Sequence, residues 1–247
     1  LDAKGMAGAQ PDLDMIAHLK THEDVAAAMG DPALQLDSPV GFGIGINAKN
    51  PNAYDIELGQ AGLGMPDRDY YLKDDAELAK TRDAYKKHMV AMFALAGVKD
   101  GEKRAQAVYD LEYKMAEADW ANADRRDVDK VYNPMTFGEL KKLAPKMPWD
   151  ALFSKTSLKL DDNHQVVVAE KSAFPKLAEI FATTTLPRLR ISSVEPMDWT
   201  DGLISLLRSY GKNAHPRLAR HAHVPLQSGS DRVLRRMHRR YRPWHYA

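Results

Sequence analysis

The tetrapeptide Thr21-His22-Glu23-Asp24 begins like the zinc motif His-Glu-x-x-His. In that motif two histidines one helical turn apart hold the metal and the glutamate activates water. The second histidine would be residue 26, which is Ala26, so His22 and Glu23 read as ordinary surface residues. The run GLGMPDRDYYL (residues 62–72) has the glycines of a phosphate loop but no Gly-Lys-Ser/Thr ending, and reads as a structural turn. Within it Arg68, between Asp67 and Asp69, is placed for a local ion-pair network. The stretch ADWANADRRDVDKVYN (residues 118–133) offers Asp119, Asp124, Asp127 and Asp129 as paired carboxylates for acid–base work. Charge on a solvated helix face is the better reading of those four.

Two further patterns lie near the C-terminal end. His221 and His223 stand two apart on an expected strand, so both project to one face, as a metal pair or a substrate-facing pair would. LQSGSDRVLRRMHRR (residues 226–240) places small polar residues and a helix start just after that strand, where backbone N–H groups can bind a carboxylate or phosphate. The arginines of that helix suit a nucleic-acid backbone, and an exposed basic helix is the plain alternative. The chain has no cysteine, which excludes disulfides, zinc–thiolate sites, cysteine nucleophiles and thiolate-held iron–sulfur clusters.

The elements that would position these groups change in kind along the chain. Residues 1–40 read as short helix and loop broken by Pro11, Gly30, Pro32 and Pro39. Residues 40–72 alternate apolar and small side chains around the turn signal NPN, which predicts an extended pair. From Asp75 the apolar spacing becomes helical through Leu78, Tyr85, Met89, Met92 and Ala96, closed by Gly97. A second helix carries Val108, Leu111, Met115 and Ala118 on one stripe, and a third opens at the capping box Thr136/Glu139 and stops at Pro145. QVVVAE (residues 165–170) reads as a short strand, and Ser172 is placed to cap a fourth helix through Phe174, Leu177 and Ile180. After Pro187 strand, helix, strand and helix follow in quick succession, the rhythm of a parallel βα structure with too few strands to bury its own sheet.

Composition adds a seam. The 247 residues carry a net charge of +1, yet residues 1–186 hold 18 Lys and 5 Arg against 30 acids, while residues 187–247 hold 1 Lys and 11 Arg against 4 acids. The halves are thus net −7 and +8, an asymmetry that points either to a polyanion partner or to two segments of different origin. No apolar run approaches the roughly 20 residues of a membrane span, and the N-terminus lacks the form of a signal peptide, so no membrane segment is expected.

Residues 1–186 resemble the N-terminal part of the M13 (neprilysin-like) zinc metallopeptidases, on the strength of YDIELGQAGLGMPDRDYYL (54–72), AEADWANADRRDVDKVYNPMTFGELKKLAP (116–145) and WDALF (149–153). The resemblance implies a mostly helical region that closes over a catalytic domain and limits substrates to peptides. It places the zinc ligands and the substrate-binding Asn-Ala-Tyr/Phe motif beyond these residues, so no catalytic residue is carried over, and Asn52-Ala53-Tyr54 is a coincidence of letters.

Residues 188–247 resemble the radical-SAM tRNA methylthiotransferases of the threonylcarbamoyladenosine type, through RLRISSVEPMDWTDGLISLL (188–207) and HAHVPLQSGSDRVLRRMHRRY (221–241). That resemblance implies a fragment of a partial (β/α) barrel, with Ser192, Ser193, Glu195 and Gln227 near S-adenosylmethionine and with tRNA contact through the basic segment. The cysteines that hold the family's 4Fe-4S cluster are missing.

The expectation is therefore a mainly α chain: an M13-type helical region (1–186) joined to a βαβα barrel fragment (187–247), each without its family's catalytic motif. The leading functional expectation is a zinc metalloendopeptidase fragment, inactive alone and needing no cofactor itself. The alternatives are a SAM-binding tRNA-modifying fragment and a non-catalytic helical binding module. The two families imply opposite compartments, outside and inside the cytoplasm.

Overall fold

The structure is a computed structural model that describes residues 10–34 and 36–186. All of them fall within one compact unit, Met6–Pro196. The expected strand-and-helix succession after Pro187, with His221, His223 and the Ser192, Ser193, Glu195 and Gln227 set, lies outside the described residues.

Among the described residues nine α-helices surround a small mixed sheet. The chain opens with α1 (Gln10–His18) and α2 (His22–Met29). Thr21 caps α2 by a capping box, accepting from the Asp24 N–H while the Asp24 carboxylate accepts from the Thr21 N–H at 2.9 Å. The expected extended pair is a hairpin, β1 (Val40–Ile46) against β2 (Tyr54–Gln60), in antiparallel register from Val40/Gln60 to Ile46/Tyr54.

The glycine loop leads into α3 (Asp69–Leu72), α4 (Ala76–Leu95) and α5 (Gly101–Ala118). Asp75 caps α4, and Gly97 at φ 66° closes it by a Schellman pair, Gly97 N–H to Ala94 and Val98 N–H to Phe93. Beyond a 3₁₀ turn come α6 (Val128–Val131), β3 (Asn133–Thr136), α7 (Phe137–Leu143), α8 (Trp149–Phe153), β4 (Gln165–Val168) and α9 (Phe174–Thr183). The Thr136/Glu139 capping box stands at the head of α7 as its spacing predicts.

Sequence periodicity revealed the hairpin and the QVVVAE strand but neither β3 nor the way the strands join. The sheet order is β1-β2-β4-β3, with β2 and β4 parallel (Ile56/Val166 to Leu58/Val168) and β3 antiparallel to β4. The region is mainly helical, as expected, but organised on this four-stranded sheet. β3 is four residues including a proline, too short to show alternation.

Ser172 does not cap α9. The helix begins after Ala173 without a side-chain cap, and Ser172 Oγ instead accepts the Trp120 indole N–H at 2.8 Å.

The main core lies between the inner face of the sheet (Leu58, Met135, Val166, Val168) and helices α2, α5, α7, α8 and α9. Phe137, Phe174 and Phe181 are fully buried there, and Trp149 stacks on Phe174 at 6.1 Å. Deleting one such ring costs about 3–5 kcal/mol. A second cluster, Met65, Tyr71, Met89, Val108 and Tyr109, joins α3, α4 and α5 and holds the glycine loop.

Candidate functional site: two buried carboxyls along one helix

α5 is the axis of the site. Its buried stripe Val108, Leu111, Met115 and Ala118 is the one its sequence predicts, but the same side of the helix also buries Glu112, which is 5% exposed. Seven residues on, at the helix C-cap, Asp119 is equally buried. Two helical turns separate them, so both carboxyls lie along one side of α5.

Glu112 is held by the glycine loop and α4. Tyr71 donates to Glu112 Oε2 and Tyr85 to Oε1, each at 2.9 Å, and the Tyr71 hydroxyl accepts the Met65 N–H at 2.9 Å. Burial pushes the Glu112 carboxyl up to about 7, aided by the charge of Asp37 and opposed by the phenol hydrogen bonds and the Gly64 N–H. Burial and the Glu112 charge push both phenols far above the usual tyrosine range.

Two glycines are required here. Gly62 sits at φ 83°, where a Cβ would come within 2.6 Å of the Ser38 carbonyl oxygen. A Cβ on Gly64 would fall on the Tyr85 hydroxyl. Beside Glu112 a cavity of about 20 Å³, lined by Met29, Ser38, Leu111, Met115 and Phe181 among others, has room for one water-sized group and no more.

Asp119 belongs to a polar cluster that ties α5 to the sheet. Gln60 and Trp120 exchange two hydrogen bonds, Trp120 N–H to Gln60 Oε1 at 2.7 Å and Gln60 Nε2 to the Trp120 carbonyl at 3.1 Å. The Gln60 N–H donates to Glu170 Oε2 at 2.8 Å, and Arg125 Nε donates to Glu170 Oε1 at 2.6 Å. Glu170 is 2% exposed, whereas the Arg125 side chain is 41% exposed. Burial first, then the charge of Glu170, push the Asp119 carboxyl up to about 7, with Arg125 and Arg68 pulling the other way. Its Oδ1 has no hydrogen-bond partner.

The aspartates of the acidic stretch separate accordingly. Asp124, Asp127 and Asp129 are exposed, Asp124 pairing loosely with Lys130 and Asp127 capping α6, as a solvated face predicts. Asp119 is a correction, since it closes α5 against β2 rather than facing water. Arg68 is another. It donates to the Ala116 carbonyl at 3.1 Å, while Asp69 pairs with Lys73 and Asp67 accepts from Asn122. Sequence reasoning missed Glu112 and Glu170. Glu112 stands four residues after Val108 and three before Met115, inside the apolar stripe, and that position was the available signal.

None of this fits zinc. His22 Nε2 donates to the Thr184 carbonyl at 2.9 Å with its ring edge against Phe181, and the fully buried Ala26 fills the place of a second ligand. Among the described residues no three His, Cys, Asp or Glu side chains converge as a metal site. Glu112 and Asp119 are withdrawn from solvent by the same packing that shifts them. The arrangement is a latch that fixes loop, helix and sheet to one another.

Residues 1–191 match the family model for the N-terminal part of peptidase family M13. The chain belongs to peptidase family M13. Two of the three stretches that carry the M13 resemblance, residues 54–72 and 116–145, meet where Gln60 bonds to Trp120. Among curated M13 relatives, rat endothelin-converting enzyme-like 1 is 29% identical over 147 residues, and human endothelin-converting enzyme 1 is 30% identical over 146. Each match covers 57% of this chain and 19% of the relative, so the chain spans about a fifth of their length.

The fold is also that of the Mycobacterium tuberculosis zinc metalloprotease Zmp1 in its open state, with a TM-score of 0.76 and 24% identity over 90% of this chain and 36% of Zmp1. The M13 match ends at residue 191, and these comparisons lend the radical-SAM resemblance of residues 188–247 no support. M13 is a zinc family acting on peptides. Among the described residues of this member no helix is long and apolar enough to cross a membrane.

Proposed function

We propose that this chain forms the helical part of an M13 zinc metallopeptidase that restricts access to peptides, the zinc and its ligands being supplied by residues outside those described. The family match over residues 1–191 carries this reading. The latch supports it, because buried carboxyls that tie loop, helix and sheet together suit a rigid wall rather than a reaction centre. The test is hydrolysis of a short internally quenched peptide by the purified chain with added zinc. No chelator-sensitive hydrolysis is expected from the chain alone; such hydrolysis would overturn the reading.

A second reading applies to residues 188–247, where the PLQSGSDRVLRRM run (225–237) and the excess of arginine favour tRNA contact through a SAM-binding barrel fragment that includes Ser192, Ser193, Glu195 and Gln227. It is checked by salt-sensitive tRNA binding that disappears when residues 188–247 are deleted. Equal binding by the shortened chain would remove it. Inertness in both assays is the expected outcome for the first reading and for a non-catalytic helical binding module alike.

A further inference from the structure

The β1–β2 hairpin has an edge and a face that the other described residues leave open. β1 ends the sheet, and among the described residues no strand lies beyond it. The bonds Ala61 N–H to Pro39 and Asn47 N–H to Ala53 set the phase of the ladder. In an antiparallel pair, hydrogen-bonded positions alternate with outward-facing ones. Gly41, Gly43 and Gly45 therefore bond to β2, while Phe42, Ile44 and Ile46 turn their backbone N–H and C=O groups to the open edge.

The two faces of this edge differ sharply. On one, the side chains of Ile44, Ile46 and the cross-strand Tyr54 are 64%, 61% and 74% exposed, an apolar strip running out from the buried Leu58. The other face is bare along β1 because three glycines line it. Nothing stands within 4 Å of a Cβ built on Gly43, and the Glu57 carboxylate lies across Gly45, 2.5 Å from where a Cβ would be. A glycine at 45 lets a β2 carboxylate reach over the outermost strand. Asp55 shares that face, and its Oδ2 is buried without a hydrogen-bond partner. Edge strands are ordinarily blunted by lysine, proline or a bulge, and Val40–Ile46 has none of these.

We propose that the free edge of β1 is a peptide-docking site, taking as a fifth strand an extended segment with apolar side chains at alternate positions and lysine or arginine between them. Its backbone pairs with Phe42, Ile44 and Ile46, its apolar side chains lie on the Ile44–Ile46–Tyr54 strip, and its basic ones meet Glu57 and Asp55. Main-chain hydrogen bonds supply the affinity and the alternating side chains the selectivity. Charge argues against a second copy, since pairing β1 with β1 would bring two Glu57 carboxylates together. The peptidase reading enters only in the class of ligand.

The test uses the full chain with a chelator present and fluorescein-labelled Val-Lys-Val-Lys-Val-Lys amide, followed by fluorescence anisotropy. Saturable binding is expected, stronger than that of the Val-Ser analogue, and Glu57→Gln should erase that preference. Ile44→Pro removes an outward N–H and leaves the β2 ladder whole, so binding should weaken about tenfold. Two peptides N-methylated on opposite alternate residues provide an arm that needs no variant: one should bind and the other should not. No saturable binding, or equal binding of the two methylated peptides, overturns the proposal. A dimer seen by sedimentation that Ile44→Pro abolishes would replace the peptide with a second copy. Failure here leaves the zinc-peptidase reading untouched, because that reading is decided by hydrolysis and not by binding in chelator.

Discussion

The Tyr71 hydroxyl is bonded to the Glu112 carboxylate across 41 residues of sequence, at 2.9 Å, and closes the glycine loop onto α5. The same hydroxyl accepts the Met65 N–H, so one oxygen serves both loop and helix. Tyr71→Phe removes both bonds and leaves a buried N–H and a carboxylate oxygen unpaired. Destabilisation of about 2–3 kcal/mol is expected by urea unfolding. A change below about 0.5 kcal/mol would show that the loop is held by packing alone.

Gly64→Ala acts on the other phenol. The added methyl takes the place of the Tyr85 hydroxyl, so Tyr85 must leave Glu112 or the loop must lift. The expected loss is about 2–4 kcal/mol, since overpacking and a lost buried hydrogen bond add. Combining it with Tyr85→Phe should recover part of the steric cost, because the hydroxyl is the atom nearest the added methyl. A melting temperature equal to that of the native chain would contradict this geometry.

Glu112 and Asp119 make stability depend on pH in a stated direction. Both carboxyls are raised to about 7 in the fold by burial. Asp37, Tyr71 and Tyr85 face the first, and Glu170, Arg125 and Arg68 the second. A raised acid favours folding while protonated, so the contribution is full below the unfolded carboxylate range near pH 4 and is lost as pH rises through about 7. Each carboxyl is worth on the order of 3 kcal/mol over that window. Unfolding midpoints measured from pH 5 to pH 8 should fall, and Glu112→Gln should flatten the slope by roughly half. A slope unchanged in that variant would count against Glu112 as its source.

Arg125→Ala strips Glu170 of its guanidinium and leaves a carboxylate that is 2% exposed. Breaking a fully buried pair costs about 3–5 kcal/mol. Arg125 is 41% exposed, so about 2 kcal/mol is expected, with Glu170→Gln on the same background restoring part of it. Thermal unfolding of the two variants decides the matter. No recovery in the double variant would place the loss elsewhere.

The helices were legible because their signals are local. Thr136/Glu139, Asp75 and Gly97 each mark a helix end through bonds within a few residues, and the α5 stripe follows the helical period. The sheet was half legible: the β1–β2 hairpin declares itself by alternation around its turn, whereas the β2–β4 pairing has no local mark. Ser172 looked like a cap because serine before a helix ordinarily is one, but a tryptophan 52 residues away claimed its hydroxyl. Asp119 looked solvated because its neighbours are, whereas the fold buries it near Glu170, 51 residues later in the chain. The latch is built from contacts between distant segments, which composition and spacing cannot convey.

The parallel pairing of β2 with β4 also bears on how the chain is made. Gln60 finds its Glu170 partner 110 residues later, and the neighbouring strand positions meet over the same span. During synthesis the hairpin emerges with the inward backbone edge of β2 unpaired, and it stays so until β4 has left the ribosome. Closing so long a loop is slow compared with local helix formation. For that interval α4 and α5 stand complete beside an unfinished sheet, and a chaperone that binds apolar strands has its longest opportunity at β2.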